Sequence, residues 1–282
     1  LISHKLNEVA KVSDAITIIR DGRVIETLEV AGQQISEDRI IRGMVGREIT
    51  DRFPKRTSKI GKVVFEVKNW NVYHPDDKER KVIDDVSFTV HAGEVVGLVG
   101  LMGAGRTELA MSIFGKYYGQ NISGHTYIDG EEVALNSIPK AIKHGLAYVT
   151  EDRKQYGLVL IDDVRHNTTL ASLGKVAHGM VIDEHEEIRE AERFRKALSI
   201  KTPSILQLAN NLSGGNQQKI VLAKWMFANP KILILDEPTR GIDVGAKYEI
   251  YSIINMLASQ GLACIMISSE MPEVFGMSDR LY

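Results

Sequence analysis

Several features that would narrow the class of protein are missing from this sequence. Its 282 residues include one cysteine, Cys264, so an intrachain disulfide is excluded and a reducing compartment is favoured. No apolar run approaches the ~20 residues that a membrane-spanning helix needs, and no basic-then-apolar signal sequence opens the chain. We therefore expect any role at a membrane to depend on a partner protein.

The chain also lacks an excess of positive charge. Its formal net charge is -2, so no overall field attracts it to a phosphate backbone or an anionic lipid surface, and we expect no nucleic-acid partner. Hydrophobic residues make up 44% and charged residues 26%, which is typical of an ordinary globular protein. This length allows one large domain or two smaller ones.

An internal echo suggests how the chain is organised. Residues 2–9 read ISHKLNEV and residues 267–274 read ISSEMPEV, and the register continues to Ser13 with Ser278. Two short helix starts could match this way by chance. If the repeat is real, the chain begins near the end of one domain and stops at nearly the same point of a second, as a fragment of a tandem protein would.

Local patterns predict the elements around this repeat. Asp21-Gly22 between two apolar runs indicates a hairpin, and Ser36 precedes a short helix that ends near Gly46. Residues 47–61 are rich in charge and poor in apolar periodicity, so they are interpreted as a solvated linker. From Val63 onward, short apolar strands alternate with helices, which predicts an α/β domain with a mainly parallel sheet.

Two of the predicted helices carry start signals. Asp183 and Glu186 form a capping-box pattern ahead of an amphipathic helix. Ser213 is placed to cap a helix that runs to about Phe227.

A glycine-rich turn follows the predicted strand Glu94–Val99. Gly100, Gly103, Gly105 and Thr107 fit the pattern G-x-x-x-x-G-K-[ST], except that Arg106 replaces the lysine. In such a loop, backbone N-H groups approach phosphate oxygens, and the threonine hydroxyl reaches Mg²⁺. A plain glycine turn is the alternative, and the altered lysine keeps it open at this point.

Two carboxylates close another buried strand, which begins at Ile232. Asp236 and Glu237 would emerge at the carboxyl end of that strand, where ligands bind in open α/β sheets. Asp236 would hold Mg²⁺ through water, and Glu237 would orient the attacking water or accept its proton. Acidic strand ends also occur as plain helix caps, but the phosphate loop upstream favours catalysis.

The run Leu212-Ser-Gly-Gly-Asn-Gln-Gln-Lys219 lies between these two motifs. Gly214 and Gly215 would expose the first N-H groups of the helix that follows Ser213, which makes an anion site. With its neighbours in this order, the sequence resembles the ABC ATPase family over about residues 63–282. The runs 103–108, 151–154, 216–219, 238–247 and 268–273 resemble, more narrowly, the second half of the tandem ATPases that drive monosaccharide importers.

This resemblance implies a fold, a domain division and partners. The fold class is α/β, a P-loop NTPase with a RecA-like core, an antiparallel β subdomain and a helical signature subdomain at about 155–225. Residues 1–50 would be the C-terminal end of a first nucleotide-binding domain, 51–62 a linker and 63–282 a second such domain. The implied partners are the first domain of the same polypeptide, membrane permease subunits and, indirectly, a periplasmic sugar-binding protein, with the chain peripheral at the cytoplasmic face of the inner membrane.

The resemblance also assigns the cofactors, ATP and Mg²⁺, and the residues that hold them. Catalysis would fall to Glu237 and His4, and the metal to Thr107 and Asp236. Tyr73 would stack on adenine, with Trp70 as the alternative, and Asp243 would contact the opposing domain. The other nucleotide contacts would be Gly100, Gly103, Ala104, Gly105, Arg106, Thr107, Glu108, Glu151, Ser213, Gly214, Gly215, Gln217 and Ser269.

Three of these positions depart from the family pattern. Arg106 replaces lysine, Glu151 replaces a glutamine that links the site to the membrane subunit, and Ser269 replaces a histidine that reaches the γ-phosphate. A planar guanidinium is not equivalent to a compact ammonium, and a serine side chain is shorter than a histidine. We therefore expect one impaired site, and one competent site that combines His4 with the signature at Ser213.

Two other functions are compatible with part of this pattern. This half could bind ATP only to regulate or scaffold its partner, without turnover. A soluble tandem ATPase acting on ribosomes or DNA would usually carry a long charged helical linker, and residues 47–61 are too short for one.

Overall fold

The computed structural model describes residues 1–2, 9, 11–20, 22–30, 35–45, 52–101 and 103–282. The strands in these ranges are β1 (Ala15–Arg20), β2 (Arg23–Glu29), β3 (Val63–His74), β4 (Asp77–His91), β5 (Val95–Leu98), β6 (Gln120–Ile128), β7 (Glu131–Glu132), β8 (Leu146–Val149), β9 (Ala177–His178), β10 (Val181–Ile182), β11 (Ile232–Asp236), β12 (Ala263–Ile267) and β13 (Arg280–Leu281). The α-helices are α1 (Glu37–Val45), α2 (Arg106–Ile113), α3 (Ile138–Lys143), α4 (Val164–Thr169), α5 (Glu184–Ala197), α6 (Gly214–Phe227), α7 (Val244–Ser259) and α8 (Met271–Met277).

A five-stranded parallel sheet lies at the centre of the part of the chain from residue 63 onward. Its strand order is β13-β5-β12-β11-β8, and each neighbouring pair is parallel. Every residue of β5, β8, β11 and β12 is buried, which is why these strands are continuous apolar runs rather than alternating ones. The carboxyl ends of β5, β11 and β12 therefore meet at one edge, where the predicted site residues follow.

A four-stranded antiparallel sheet, in the order β4-β3-β6-β7, packs beside this core. Between β8 and β11 the chain is mainly helical, with α4, α5 and α6 in contact. The fold class predicted from the sequence is thus confirmed, including its antiparallel and helical parts. Helix α6 is buried along most of its length, and even Lys219 and Lys224 on it are 2% and 7% exposed.

The start signals of two helices differ in detail from prediction. Asp183 caps α5 by accepting hydrogen bonds from the N-H groups of His185 and Glu186, but its own N-H bonds to the Val176 carbonyl, so the reciprocal half of the box is missing. Ser213 occupies the N-cap position of α6, yet its hydroxyl bonds to the Asn216 side chain, 3.0 Å away, and caps no backbone N-H. The capping bond expected from a backbone N-H of α6 to the Ser213 hydroxyl is absent, because the side-chain amide of Asn216 donates to that oxygen instead.

The N-terminal part forms its own small cluster. Strands β1 and β2 pair as the predicted hairpin, with Gly22 at φ 74° in the turn; Asp21 lies outside the described residues. Helix α1 packs on the hairpin through Ile40 and Ile41. Its bounds are within a residue or two of those predicted.

The described part of the predicted linker is irregular and most of its residues are exposed, as expected, but three of them pack on the rest of the chain. The ring of Phe53 packs on Tyr251 with 5.2 Å between centroids, and the Asn255 amide donates to the Pro54 carbonyl over 2.6 Å. The side chain of Arg56 is 7% exposed and pairs with Asp279. The expectation of a solvated charge was wrong for Arg56, because its guanidinium pairs with a carboxylate that the sequence places more than two hundred residues away.

We searched the described residues for a membrane span, and no helix among them combines the length and apolar character required to cross a bilayer.

Candidate functional site

The glycine-rich loop lies between β5 and α2, as predicted. Gly103 and Gly105 have φ values of 81° and 86°, a left-handed conformation that glycine adopts without strain. Gly105 is buried against Val82 and Ile83 of β4. The Ala104 N-H bonds to the Leu101 carbonyl at 3.0 Å, so that donor is used inside the loop. Met102 lies outside the described residues.

Asp236 ends β11 directly beside this loop. It is fully buried, its Oδ2 accepts a hydrogen bond from the Tyr148 hydroxyl at 2.9 Å, and its Oδ1 has no partner. Burial raises the pKa of Asp236 to about 6, although the Tyr148 hydroxyl and the nearby Thr107 hydroxyl act in the opposite direction. A buried carboxylate oxygen without a partner, next to a threonine hydroxyl, is a donor set that suits Mg²⁺. Thr107 and Asp236 therefore fit the metal role predicted for them.

Glu237 follows Asp236 and adopts a left-handed conformation, with φ 47°. Its Oε2 accepts a hydrogen bond from the Ser269 hydroxyl at 3.1 Å. Burial raises the pKa of Glu237, while the Ser269 hydroxyl and N-H lower it. The structure thus brings Glu237 and Ser269 together, and the serine is bonded to the carboxylate.

Arg106 joins the loop to the end of β12. One guanidinium N-H donates to the Ser268 carbonyl over 2.6 Å. Burial raises the pKa of both Asp236 and Glu237, and the positive charge of Arg106 partly opposes that rise. Arg106 and Ser269 are two of the three departures from the family pattern. They are therefore neighbours, linked through one residue of backbone.

A buried carboxylate, that of Glu273, lies beside Ser268 in this site, and it was not predicted from the sequence. Glu273 is 2% exposed, and it accepts hydrogen bonds from Thr239, at 2.6 Å, and from Ser268. It thereby ties the segment after Glu237 to the segment before Ser269. Its place in the run 268–273 was the available signal, but nothing in that run showed what it binds.

Tyr73 and Trp70 differ in environment. Trp70 is 2% exposed, and its indole N-H donates to Ser112 at 3.0 Å, so it is a core residue. Tyr73 is partly exposed on β3 and pairs with Lys81 of β4, next to the Val82 that touches Gly105. Tyr73 is therefore the remaining candidate for stacking on adenine, and that role stays a prediction.

Glu151 forms an ion pair with Arg240, in the segment that follows Glu237. It also lines a cavity of about 560 Å³ together with Thr107, Tyr148 and Tyr156. A larger cavity of about 870 Å³, between α5 and the C-terminal ends of α6 and α7, holds no phosphate-loop residue. The smaller cavity is the one that belongs to the site, because it reaches Thr107.

Glu108 lies in the first turn of α2. Burial raises the pKa of Tyr148, and the negative charge of Glu108 adds to that rise.

The signature residues, 213–215, lie apart from the phosphate loop of this chain. Ser213 and Gly214 start α6 against the segment 240–246, and no described contact joins them to the phosphate loop of this chain. Gln217 is 4% exposed; its amide N-H₂ donates to the Ala209 carbonyl at 3.0 Å, and its oxygen accepts from Arg153. The prediction that Gln217 contacts nucleotide directly does not fit this geometry, because both ends of its amide are occupied.

The two remaining predicted residues are Asp243 and His4. Asp243 caps α7 by accepting from the Ala246 N-H at 2.9 Å, and it is exposed. His4 lies outside the described residues, so its predicted role stays a prediction.

A parallel sheet whose first strand leads through a glycine loop into a helix, with an acidic strand end beside it, defines a P-loop NTPase. Solved structures with a similar fold include ATP-binding cassettes. A nucleotide-free ATP-binding cassette from an ABC transporter aligns with a TM-score of 0.67 at 20% identity, covering 78% of this chain and 87% of that one. The ADP conformation of such a cassette aligns with a TM-score of 0.66 at 20% identity. These show the fold.

The family follows from sequence. A profile described as ABC transporter matches residues 83–240, which is more than half of the chain, and the chain belongs to this family. It is 61% identical over 282 residues to the L-arabinose transport ATP-binding protein AraG of Geobacillus stearothermophilus, covering 100% of this chain and 55% of that protein. It is 46% identical over 280 residues to the ribose import ATP-binding protein RbsA of Bacillus subtilis, covering 99% and 55%. The chain thus spans about half the length of the curated relatives it matches.

Proposed function

We propose that this chain is part of an ATP-binding subunit that powers the import of a monosaccharide through a membrane permease. The observation that carries the proposal is the convergence of Thr107 with Asp236, whose buried Oδ1 has no partner, at the end of the phosphate loop. This is the donor set for a Mg-nucleotide, and Mg²⁺ would there neutralise charge on the phosphates. The names of the relatives, which transport or import arabinose, xylose or ribose, support a sugar as cargo.

The chain would contain the end of one nucleotide-binding domain, at 1–50, and a second at 63–282. Support comes from a matching bond in the two copies of the echo. The Ser13 N-H donates to the Val9 carbonyl at 3.1 Å, and the Ser278 N-H donates to the Val274 carbonyl at 3.0 Å. In such a tandem protein, the signature at Ser213 would serve the phosphate site of the first half, since it does not contact the loop of its own chain.

The phosphate site of this half would bind nucleotide but hydrolyse it poorly. One N-H of Arg106 is bonded to the Ser268 carbonyl, and the Ser269 hydroxyl is bonded to Glu237. The Ser269 hydroxyl and N-H occupy the Glu237 carboxylate, so fewer of its lone pairs are free to bind and orient an attacking water. The isolated chain would therefore turn over ATP slowly or not at all.

The segment from 151 to 170 would face the permease, at the cytoplasmic face of the membrane. Several of its apolar side chains are exposed: Tyr156 by 59%, Val159 by 41% and Ile161 by 82%. Of these three, Tyr156 also lines the cavity that reaches Thr107. A helix from a membrane subunit seated there would have a short path to the nucleotide, and a periplasmic sugar-binding protein would deliver the cargo on the other side.

The first test is binding. Calorimetry with Mg-ATP at millimolar concentration should give heat and a thermal shift for this chain, and Asp236→Asn should weaken the magnesium-dependent part. Absence of both signals in the unmodified chain would remove the proposal.

The second test uses the full-length protein reconstituted with its permease. Replacing Ser213 with a bulky residue should nearly stop sugar transport and hydrolysis, because loss of preorganised donors costs roughly 10² to 10³ in rate. Arg106→Ala should harm both less. The reverse ranking would contradict the division of labour, and full activity of both variants would favour a regulatory or scaffold role for this half.

A further inference from the structure

Arg153 occupies an unusual position between three parts of the site. It starts the single π-helical turn Arg153–Gly157, in the segment proposed to face the permease. Its guanidinium donates to the Arg240 carbonyl at 2.7 Å and to the Gly241 carbonyl at 3.2 Å. A longer contact of 3.4 Å joins its Nε to the Gln217 oxygen on α6. One side chain thus holds three segments that are distant in the sequence.

The partners of Arg153 are all neutral. Within the described part of the chain, no carboxylate lies in ion-pair contact with its guanidinium, and burial lowers its pKa. A half-buried cation without an anion is unfavourable unless its hydrogen bonds are well made. The planar fork of arginine meets two successive carbonyls at once, which a lysine ammonium cannot reproduce.

The start of α6 is shaped around this side chain. A Cβ atom added at Gly214 would lie 2.6 Å from an Arg153 guanidinium nitrogen and 3.0 Å from the Gly241 carbonyl oxygen. Glycine is therefore required at 214 for the guanidinium and the backbone of 241 to approach. The signature therefore packs against Arg153, whose guanidinium is hydrogen-bonded to the carbonyls of residues 240 and 241.

We propose that Arg153 is a positioning residue that fixes the signature motif and the segment 238–243 to the permease-facing segment, so that a shift of the latter moves the signature. The inference rests on the proposed ATPase function, in which Ser213 and Gly214 face the nucleotide of the opposing domain. Arg153 does not touch nucleotide itself. Glu151 supports it from the same segment, through its ion pair with Arg240.

The test compares Arg153→Ala and Arg153→Lys with Lys196→Ala as the control. Lys196 lies on α5, outside the segment proposed to face the permease, and its side chain is exposed. In the full-length protein with its permease, Arg153→Ala should lower kcat for ATP by at least about tenfold, with KM changed less than twofold, because misplaced donors act on the transition state. Arg153→Lys should fall between, and Lys196→Ala should match the unmodified protein.

A second measurement does not need turnover. Amide exchange in this chain should accelerate about tenfold in both 213–217 and 239–243 for Arg153→Ala, since the loss of one or two hydrogen bonds is involved, and should stay unchanged for Lys196→Ala. If the unmodified protein shows no ATP turnover, the ATPase proposal fails, and the exchange result still decides whether Arg153 positions these two segments. Exchange that equals the control in both Arg153 variants, or a loss shared equally by KM and kcat, would overturn the inference.

Discussion

Lys224 offers a quantitative test of how the segment 151–170, which is proposed to face a permease, is attached to the helix α6. This lysine lies on α6, its side chain is 7% exposed, and its Nζ donates to the Gly157 carbonyl at 2.6 Å. Gly157 ends the π-helical turn that begins at Arg153. Burial lowers the pKa of Lys224 to about 8, from an ordinary value of 10.5. The perturbation is Lys224→Met, which keeps the length and removes the charge.

The expected magnitude follows from that shift. Because the charged form is disfavoured in the folded state, Lys224 destabilises the fold below pH 8, and the penalty disappears as pH rises from 8 to 10.5. At ~1.4 kcal/mol per pKa unit, the penalty is about 3 kcal/mol at pH 7 and under about 1 kcal/mol at pH 10. The free energy of unfolding of the protein, measured against Lys224→Met, should therefore improve by about 2.5 kcal/mol between those two pH values.

Urea unfolding followed by far-UV circular dichroism at pH 7, 8, 9 and 10 gives this difference directly. Other groups titrate in the same range, but they cancel between the protein and its variant. Lys196→Met on the exposed side of α5 is the matched control, and its difference should stay flat. A flat difference for Lys224→Met as well would show that the lysine is solvated or moves away from Gly157, and the reasoning would be refuted.

Three other outcomes can be checked separately. Gly276→Ala should destabilise by about 1 to 3 kcal/mol, because the new Cβ would lie 2.2 Å from a ring carbon of Phe53, and Phe53→Ala should suppress most of that loss in the double variant. Arg106→Lys with Ser269→His should raise ATP turnover of this chain more than the two single changes combined, whereas simple additivity would argue against their contact through Ser268. Cys264 is fully buried and burial raises its pKa to about 12, so a thiol reagent should label it only on unfolding, and rapid labelling of the folded chain would contradict the packing.

The parts of this molecule that the sequence could predict are those with a local signal. Strand β11 begins at Ile232 as predicted, because a strand buried on both faces must be a continuous apolar run. The phosphate loop and the acidic strand end were found because their residue spacing is fixed by the chemistry of phosphate and magnesium. Their meeting at one sheet edge followed from parallel topology alone.

The parts that could not be predicted depend on partners far apart in the chain. Arg153 binds backbone carbonyls 87 and 88 positions away, and backbone atoms leave no trace in residue identity. Arg56 was interpreted as a solvated charge for the same reason, since its partner Asp279 lies 223 positions away. Gln217 stands in a motif that was predicted to face nucleotide, and only the packing of α6 shows that its amide is turned inward.

The contacts of Phe53 with Tyr251 and of Arg56 with Asp279 also limit how far the N-terminal cluster can separate from the rest of the chain. Seven residues, 46–52, lie between the end of α1 and Phe53. Even fully extended, such a connection spans at most ~25 to 29 Å. The N-terminal cluster is therefore held at a high effective concentration beside α7, and its reassociation after any opening is an intramolecular event. A truncation that starts at Val63 would remove this anchorage and leave the Asp279 carboxylate without its arginine.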